Sequence, residues 1–151
     1  MAVVALEAFC GLRAFEACRI DWSAIDLKVG VIRVNGGVAK LGRNRTVTIP
    51  DNAKAWLELV SPLERVGQVC SGHLWDSMQC VHKRVRETLP DFAWRNNGLR
   101  QAFISHHLAL HDSITTTAAM AGNSPEKIRS NYWKLKTRED AEKYFTIRPN
   151  L

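Results

Sequence analysis

A mainly helical domain carrying one small three-stranded antiparallel sheet (α+β) is predicted by three observations. Apolar residues recur at helical spacing through most of the chain, and glycines, prolines and short polar residues cut these stretches into helix-sized lengths. One window breaks that period: Val31-Ile32-Arg33-Val34 and Arg45-Thr46-Val47-Thr48-Ile49 are β-branched runs, set apart by Asn35-Gly36-Gly37 and Leu41-Gly42-Arg43-Asn44. Finally, 151 residues with 46% hydrophobic and 24% charged side chains suffice for one buried core but not for two.

In chain order, residues 2–10 read as a helix with Val3, Leu6 and Cys10 on one stripe, broken at Gly11. A second helix follows from about Ala14 to Ile20 and is expected to bury Phe15, Ala17 or Cys18, and Ile20. Asp21 to Asp26 reads as a turn around a buried Trp22. The two glycine-bearing breaks then predict a sheet whose middle strand is Val38-Ala39-Lys40. Pro50-Asp51 stops the sheet and starts a helix to about Val60, with Trp56 and Leu57 inward. Residues 61–72 read as loop, and a long helix from about Leu74 to Leu89 ends before Pro90. Another helix spans about Gly98 to Leu110. Asp112 or Ser113 caps the next, which closes at Gly122. Ser124-Pro125-Glu126 combines an N-cap, a first-turn proline and a first-turn acid, so a short helix starts there and carries Tyr132 at or past its end. A last helix covers about Arg138 to Phe145. Most of the five tryptophans are expected in the core.

The formal charge is +6 at pH 7, which favours a polyanionic partner. Between Leu27 and Pro50 lie five basic residues (Lys28, Arg33, Lys40, Arg43, Arg45) and no acid, and a second basic run from Lys127 through Arg138 surrounds Tyr132. Cys10, Cys18, Cys70 and Cys80 form no C-x-x-C pair, and no glutamate follows His107 in the H-E-x-x-H manner before His111, so neither pattern indicates a metal. The opening residues lack the basic start of a signal peptide and include Glu7, and no run of about eighteen apolar residues exists. A cytoplasmic protein with reduced thiols is the expectation.

Arg13, Lys40, Arg100 and Tyr132 together offer a metal-free way to cut a phosphodiester. The phosphate oxygens repel nucleophiles, and the transition state concentrates more negative charge on them. Two guanidinium forks aimed at the non-bridging oxygens answer both problems. A phenol is a poor nucleophile at neutral pH until cationic neighbours favour its phenolate. A lysine on a hairpin can protonate the departing hydroxyl.

The local contexts of these residues resemble the catalytic domain of the tyrosine recombinases, the phage-integrase family. Gly11-Leu12-Arg13-Ala14-Phe15-Glu16 is similar to that family's Gly-Leu-Arg-x-x-Glu segment, and Asp21-Trp22-Ser23-Ala24-Ile25-Asp26 to the element entering its sheet. Lys40-Leu41-Gly42-Arg43-Asn44-Arg45 resembles its hairpin turn, Leu99-Arg100-Gln101-Ala102-Phe103 its second arginine motif, and Gly122-Asn123-Ser124 its Gly-x-Ser element, with Tyr132 nine residues beyond Asn123. The tail from Glu139 to Pro149 looks like that of one bacterial subgroup.

The resemblance implies the DNA breaking-rejoining fold and a site-specific recombinase or integrase of a mobile element. Tyr132 would be the nucleophile, Arg13 and Arg100 the phosphate clamps and Lys40 the general acid, with Glu16 bracing an arginine or the hairpin. Arg43, Arg45, Lys127 and Arg129 would bind double-stranded DNA. No cofactor is implied, and a homotetramer on nucleoid DNA is. Two positions depart from the pattern: Asn97 stands where the family commonly has histidine or lysine, and Asn123 where it has histidine or tryptophan. Asparagine can hydrogen-bond a phosphate but cannot transfer a proton at neutral pH, which loads the acid role onto Lys40. The resemblance further implies that residues 1–151 are a single catalytic domain, beginning about one helix inside the usual boundary and lacking the family's N-terminal core-binding domain. Beside this reading stand a DNA-binding remnant that no longer cuts and a helical protein-interaction domain with incidental positive charge.

Overall fold

The computed structural model describes residues 1–39, 44–70, 74–133 and 135–150, with 74–78 as backbone alone. The helices among them are α1 (Ala2–Cys10), α2 (Ala14–Arg19), α3 (Asp51–Glu58), α4 (Leu74–Thr88), α5 (Gly98–His111), α6 (Ile114–Ala121), α7 (Pro125–Tyr132) and α8 (Arg138–Phe145). Strands β1 (Ile25–Asp26), β2 (Val31–Val34) and β3 (Arg45–Thr48) lie between α2 and α3, and 3₁₀ turns occupy Trp22–Ala24 and Pro62–Glu64. The fold is that mainly helical one with a three-stranded antiparallel sheet.

Local chemistry sets the helix ends. Ser113 Oγ accepts the Thr116 amide at 3.2 Å and Ser124 Oγ the Lys127 amide at 3.4 Å, each satisfying a first-turn donor that has no partner inside its helix. Thr137 and Asp140 exchange side-chain and backbone bonds at 3.1 Å to open α8. Gly11 closes α1 and Gly122 closes α6, at φ of 65° and 61°.

The sheet runs β1-β2-β3, with Ile25 opposite Ile32 and Ile32 opposite Val47. Val38-Ala39-Lys40 is therefore not its middle strand. Val38 and Ala39 donate their amides to the Asn35 carbonyl at 3.0 and 2.9 Å, a turn that uses the bonds a ladder would need, and Lys40 lies outside the described residues. β2 takes the centre, and Ile25–Asp26, read from sequence as turn, supplies the other edge. Phe15 is also not buried. It is 43% exposed beneath the Arg19 guanidinium, 3.9 Å from its ring centroid, because the inward face of α2 belongs to Glu16, Ala17 and Cys18. Of the tryptophans whose side chains are described, Trp22 alone is fully buried, and Trp56 donates its indole N–H to the Ile147 carbonyl at 3.2 Å.

Two apolar clusters result. The first gathers α1, α2, the sheet and α3 around Leu6, Leu12, Ile20, Ile32, Val47 and Leu57. The second gathers α5, α6 and α7 around Phe103, Ile104, Ala121 and Ile128, with Phe145 of α8 against it. α1 is apolar almost all round, as a helix enclosed on most sides must be, and it contacts α2, α3 and α5. The seam between the clusters is closed at Gly11. A Cβ there would stand 2.2 Å from the Phe103 ring, so glycine alone lets α5 come this close.

Candidate active site at the end of helix α6

The sequence places Arg13, Arg45 and Arg100 far apart, and the fold brings all three to one point on that seam. α6 ends at Gly122, where the last carbonyls have no partner within the helix and carry its negative end. Each of three successive carbonyls takes a different arginine. The Met120 carbonyl accepts from Arg45 Nε at 3.2 Å, the Ala121 carbonyl from Arg100 Nη2 at 2.6 Å, and the Gly122 carbonyl from Arg13 Nη2 at 2.8 Å. Arg100 Nη1 also donates to the Gly11 carbonyl. The Gly-Leu-Arg segment and the Leu-Arg-x-x-Phe segment are thus interlocked twice, through Phe103 on Gly11 and Arg100 on its carbonyl.

Two acceptors stitch the arginines to one another. Glu16 Oε1 takes Arg13 Nη1 at 2.9 Å and Arg45 Nη1 at 3.2 Å, while its Oε2 takes Arg45 Nη2 at 2.6 Å and the Arg13 amide at 3.0 Å. The Glu16 side chain is 0% exposed, against 21% for Arg13 and 11% for Arg45. Burial opposes its ionisation, but the hydrogen bonds from Arg45 and from the Arg13 amide, with both guanidinium charges, outweigh burial and hold the carboxyl at about 2. Asn123 Oδ1 accepts from Arg13 Nη2 and from Arg100 Nη2, both at 3.1 Å. Both partners can only donate, so the atom between them is the amide oxygen, and the NH₂ of Asn123 faces away from the guanidinium pair.

Arg100 is buried. Desolvation first, then the like charges of Arg13 and Arg45, push its pKa down to about 10, with Glu16 and Tyr132 acting the other way. It remains a cation at neutral pH. Three guanidinium groups against the one ionised carboxylate leave two net positive charges at the end of α6.

The other expected site residues are placed as follows. Tyr132 is the last residue of α7, half-buried against the second cluster, and borders a cavity of 140 Å³ with Ser105, Leu108, Ala109 and Asp112. Its phenol is near enough for electrostatic interaction with Arg100, yet no hydrogen bond joins it to a guanidinium among the described residues. Asn97 is exposed at the N-cap of α5 with φ of 56° and makes no side-chain cap bond. Lys127 and Arg129 project from α7 as exposed cations. Arg45, expected on the DNA, instead points inward at Glu16 and Met120. Lys40 and Arg43 lie outside the described residues.

One group here was not foreseen. Glu7, the sole acid of α1, is buried, and its Oε1 has no hydrogen-bond partner among the described residues. Desolvation pushes its carboxyl up to about 7, partly offset by the Arg100 charge. A lone glutamate in Ala2–Cys10 with no basic residue on the same helix was the available signal.

The phage integrase family matches residues 1–109, a span that takes in Arg13, Arg45 and Arg100 and stops before Asn123 and Tyr132. No curated protein matches. Two solved structures are similar over nearly the whole chain. The crystal structure of XerA recombinase has 19% identity and a TM-score of 0.67, with 99% of this chain and 58% of that one covered. The integrase from mycobacterium phage Brujita has 19% identity and a TM-score of 0.62, with 99% and 53% covered. The chain therefore spans little more than half the length of either. Their likeness establishes the fold, that of a tyrosine recombinase catalytic domain, through α8. With the family match covering more than two thirds of the sequence and the same arginine motifs assembled in the fold, this chain belongs to the phage integrase family.

Proposed function

We propose that this domain cuts and rejoins DNA strands through a covalent 3′-phosphotyrosyl link. The observation that supports it is the convergence of Arg13 and Arg100 on Asn123 Oδ1, which holds two guanidinium forks side by side. A phosphodiester bound there presents its non-bridging oxygens to the guanidinium groups, whose spacing Asn123 Oδ1 sets. The phosphorane formed on attack carries two negative charges, matched by the two net positive charges fixed beforehand at the end of α6.

Tyr132 supplies the nucleophile. The phenol gives up its proton to solvent, its oxygen forms a bond to phosphorus as the bond from phosphorus to the 5′ oxygen breaks, and Lys40 protonates that 5′ oxygen as it leaves. Rejoining reverses both steps, so the energy of the bond is retained and no nucleotide is consumed. The phenol must come in line with the phosphorus. The chain leaves α7 directly after Tyr132, at Trp133 with ψ of 124°. Asn97, one turn before Arg100, adds a hydrogen bond rather than a proton. Because the chain spans just over half of its structural neighbours, pairing of sites, assembly into a tetramer and choice of target belong to this proposal as well.

The test is a nicked suicide duplex that loses its 5′-hydroxyl fragment on cleavage. The expected result is a protein–DNA adduct resistant to denaturant, formed by the native sequence and absent from Tyr132→Phe and from Arg100→Gln. Binding of the duplex with no adduct over hours would leave a DNA-holding domain that does not cut.

A further inference from the structure

We infer that Arg45 is a positioning residue that acts through Glu16 and the end of α6, and not a contact to DNA. The inference rests on the phosphodiester reading of this site. All three guanidinium nitrogens of Arg45 are engaged: Nε on the Met120 carbonyl at 3.2 Å, Nη1 on Glu16 Oε1 at 3.2 Å and Nη2 on Glu16 Oε2 at 2.6 Å. Arg13 and Arg100 meet on Asn123 Oδ1, whereas Arg45 has no bond to Asn123 among the described residues and directs its donors to Glu16 and Met120.

Its partners explain what it does. Glu16 Oε1 is shared between Arg45 and Arg13, so the bidentate fork of Arg45 fixes the plane of the carboxylate, and the carboxylate fixes the Arg13 fork above it. At its other end Arg45 holds Met120, two residues before the carbonyl that receives Arg13 and three before Asn123. Beside it, the Thr48 amide lies 3.4 Å from Met120 Sδ, a second tie between β3 and the same turn of α6. Gly122 packs against the guanidinium face, where a Cβ would meet Arg45 at 3.1 to 3.2 Å. Arg45 is thus clamped on one side by a carboxylate and on the other by a helix end. Through these contacts it sets both acceptors, Glu16 and the turn at Gly122-Asn123, that orient the forks of Arg13 and Arg100.

Charge and fork geometry can be told apart. Arg45→Lys keeps the charge but cannot grip two carboxylate oxygens and a carbonyl in one plane, whereas Arg45→Gln loses the charge. On the suicide duplex, both variants are expected to cleave about 100-fold more slowly under saturating DNA, the scale of losing an oriented donor. The dependence of log affinity on log salt is expected to stay unchanged in both. A role on DNA predicts the opposite pattern: the slope falls by about 0.9 in Arg45→Gln, and Arg45→Lys restores both affinity and cleavage. That pattern overturns the inference, as does native cleavage by both variants.

Should either variant fail to fold, the native protein decides. The Nε–H resonance of Arg45 is expected to be slow to exchange with solvent and to stay in place when a duplex is added, while that of Arg13 moves. A shift of Arg45 as large as that of Arg13 overturns the inference. If the native chain forms no adduct, the phosphodiester reading fails on its own, and the resonance measurement still reports whether Arg45 meets DNA.

Discussion

Glu7 and Glu16 are both buried acids within reach of arginines, and their environments drive them in opposite directions. Glu16 has four donors and stays ionised, whereas Glu7 has only the field of Arg100 and is held near neutrality. For Glu7 the folded carboxyl titrates at about 7 against an ordinary 4.5, so between those values the folded state binds more protons than the unfolded one. Its contribution to stability is therefore present below about pH 4.5 and is lost as pH rises to 7, by roughly 3 kcal/mol in all. His107 works against this in an overlapping window. Burial, then the charge of His111, depress it to about 4, which removes stability as pH falls. The contrast must therefore be read from a variant. Glu7→Gln is expected to gain on the native chain by roughly 3 kcal/mol between pH 5 and pH 8. Urea denaturation at the two values checks this, and a gap that does not change with pH would mean that Glu7 is ionised throughout.

At the scale of elements, the ends of helices were legible from sequence and the small sheet was less so. Ser113, Ser124-Pro125 and Gly122 act within one turn of themselves, and local chemistry of that kind is written in adjacent residues. Ile25–Asp26 is a strand only because β2 lies beside it, and two residues carry no period to read. Val38-Ala39 has strand-like side chains, but the Asn35 carbonyl captures its amides. The site divides in the same way. Arg13, Arg100 and Asn123 were visible through their motifs. The inward turn of Arg45 was not, because nothing near position 45 reveals that Glu16 and the Met120 carbonyl wait for it. Gly122→Ala tests how much the end of α6 tolerates. A left-handed φ costs a side chain roughly 1–2 kcal/mol, and here the methyl also presses on the Arg45 guanidinium. A fall in Tm is expected together with slower cleavage, and an alanine variant that melts and cleaves like the native chain would show that the contact is slack.

The whole molecule is two packed clusters with a cationic seam, and under the proposed function its outward cations govern how it holds DNA. Lys127 and Arg129 are exposed on α7, and no ion pair engages either among the described residues. Replacing either with alanine is expected to weaken binding alike on all sequences and to lower the salt slope by about 0.9. Titrations at several salt concentrations measure it, and an unchanged slope would take that residue off the DNA.

The cradle at the end of α6 draws its parts from residues 13, 16, 45, 100 and 120–123, so no early stretch of the chain contains it. A polypeptide still emerging from the ribosome has loose arginines long before it has the carbonyls that order them. The arrangement of three arginines on three successive carbonyls forms only after Asn123 has cleared the exit tunnel and the two clusters have closed on each other.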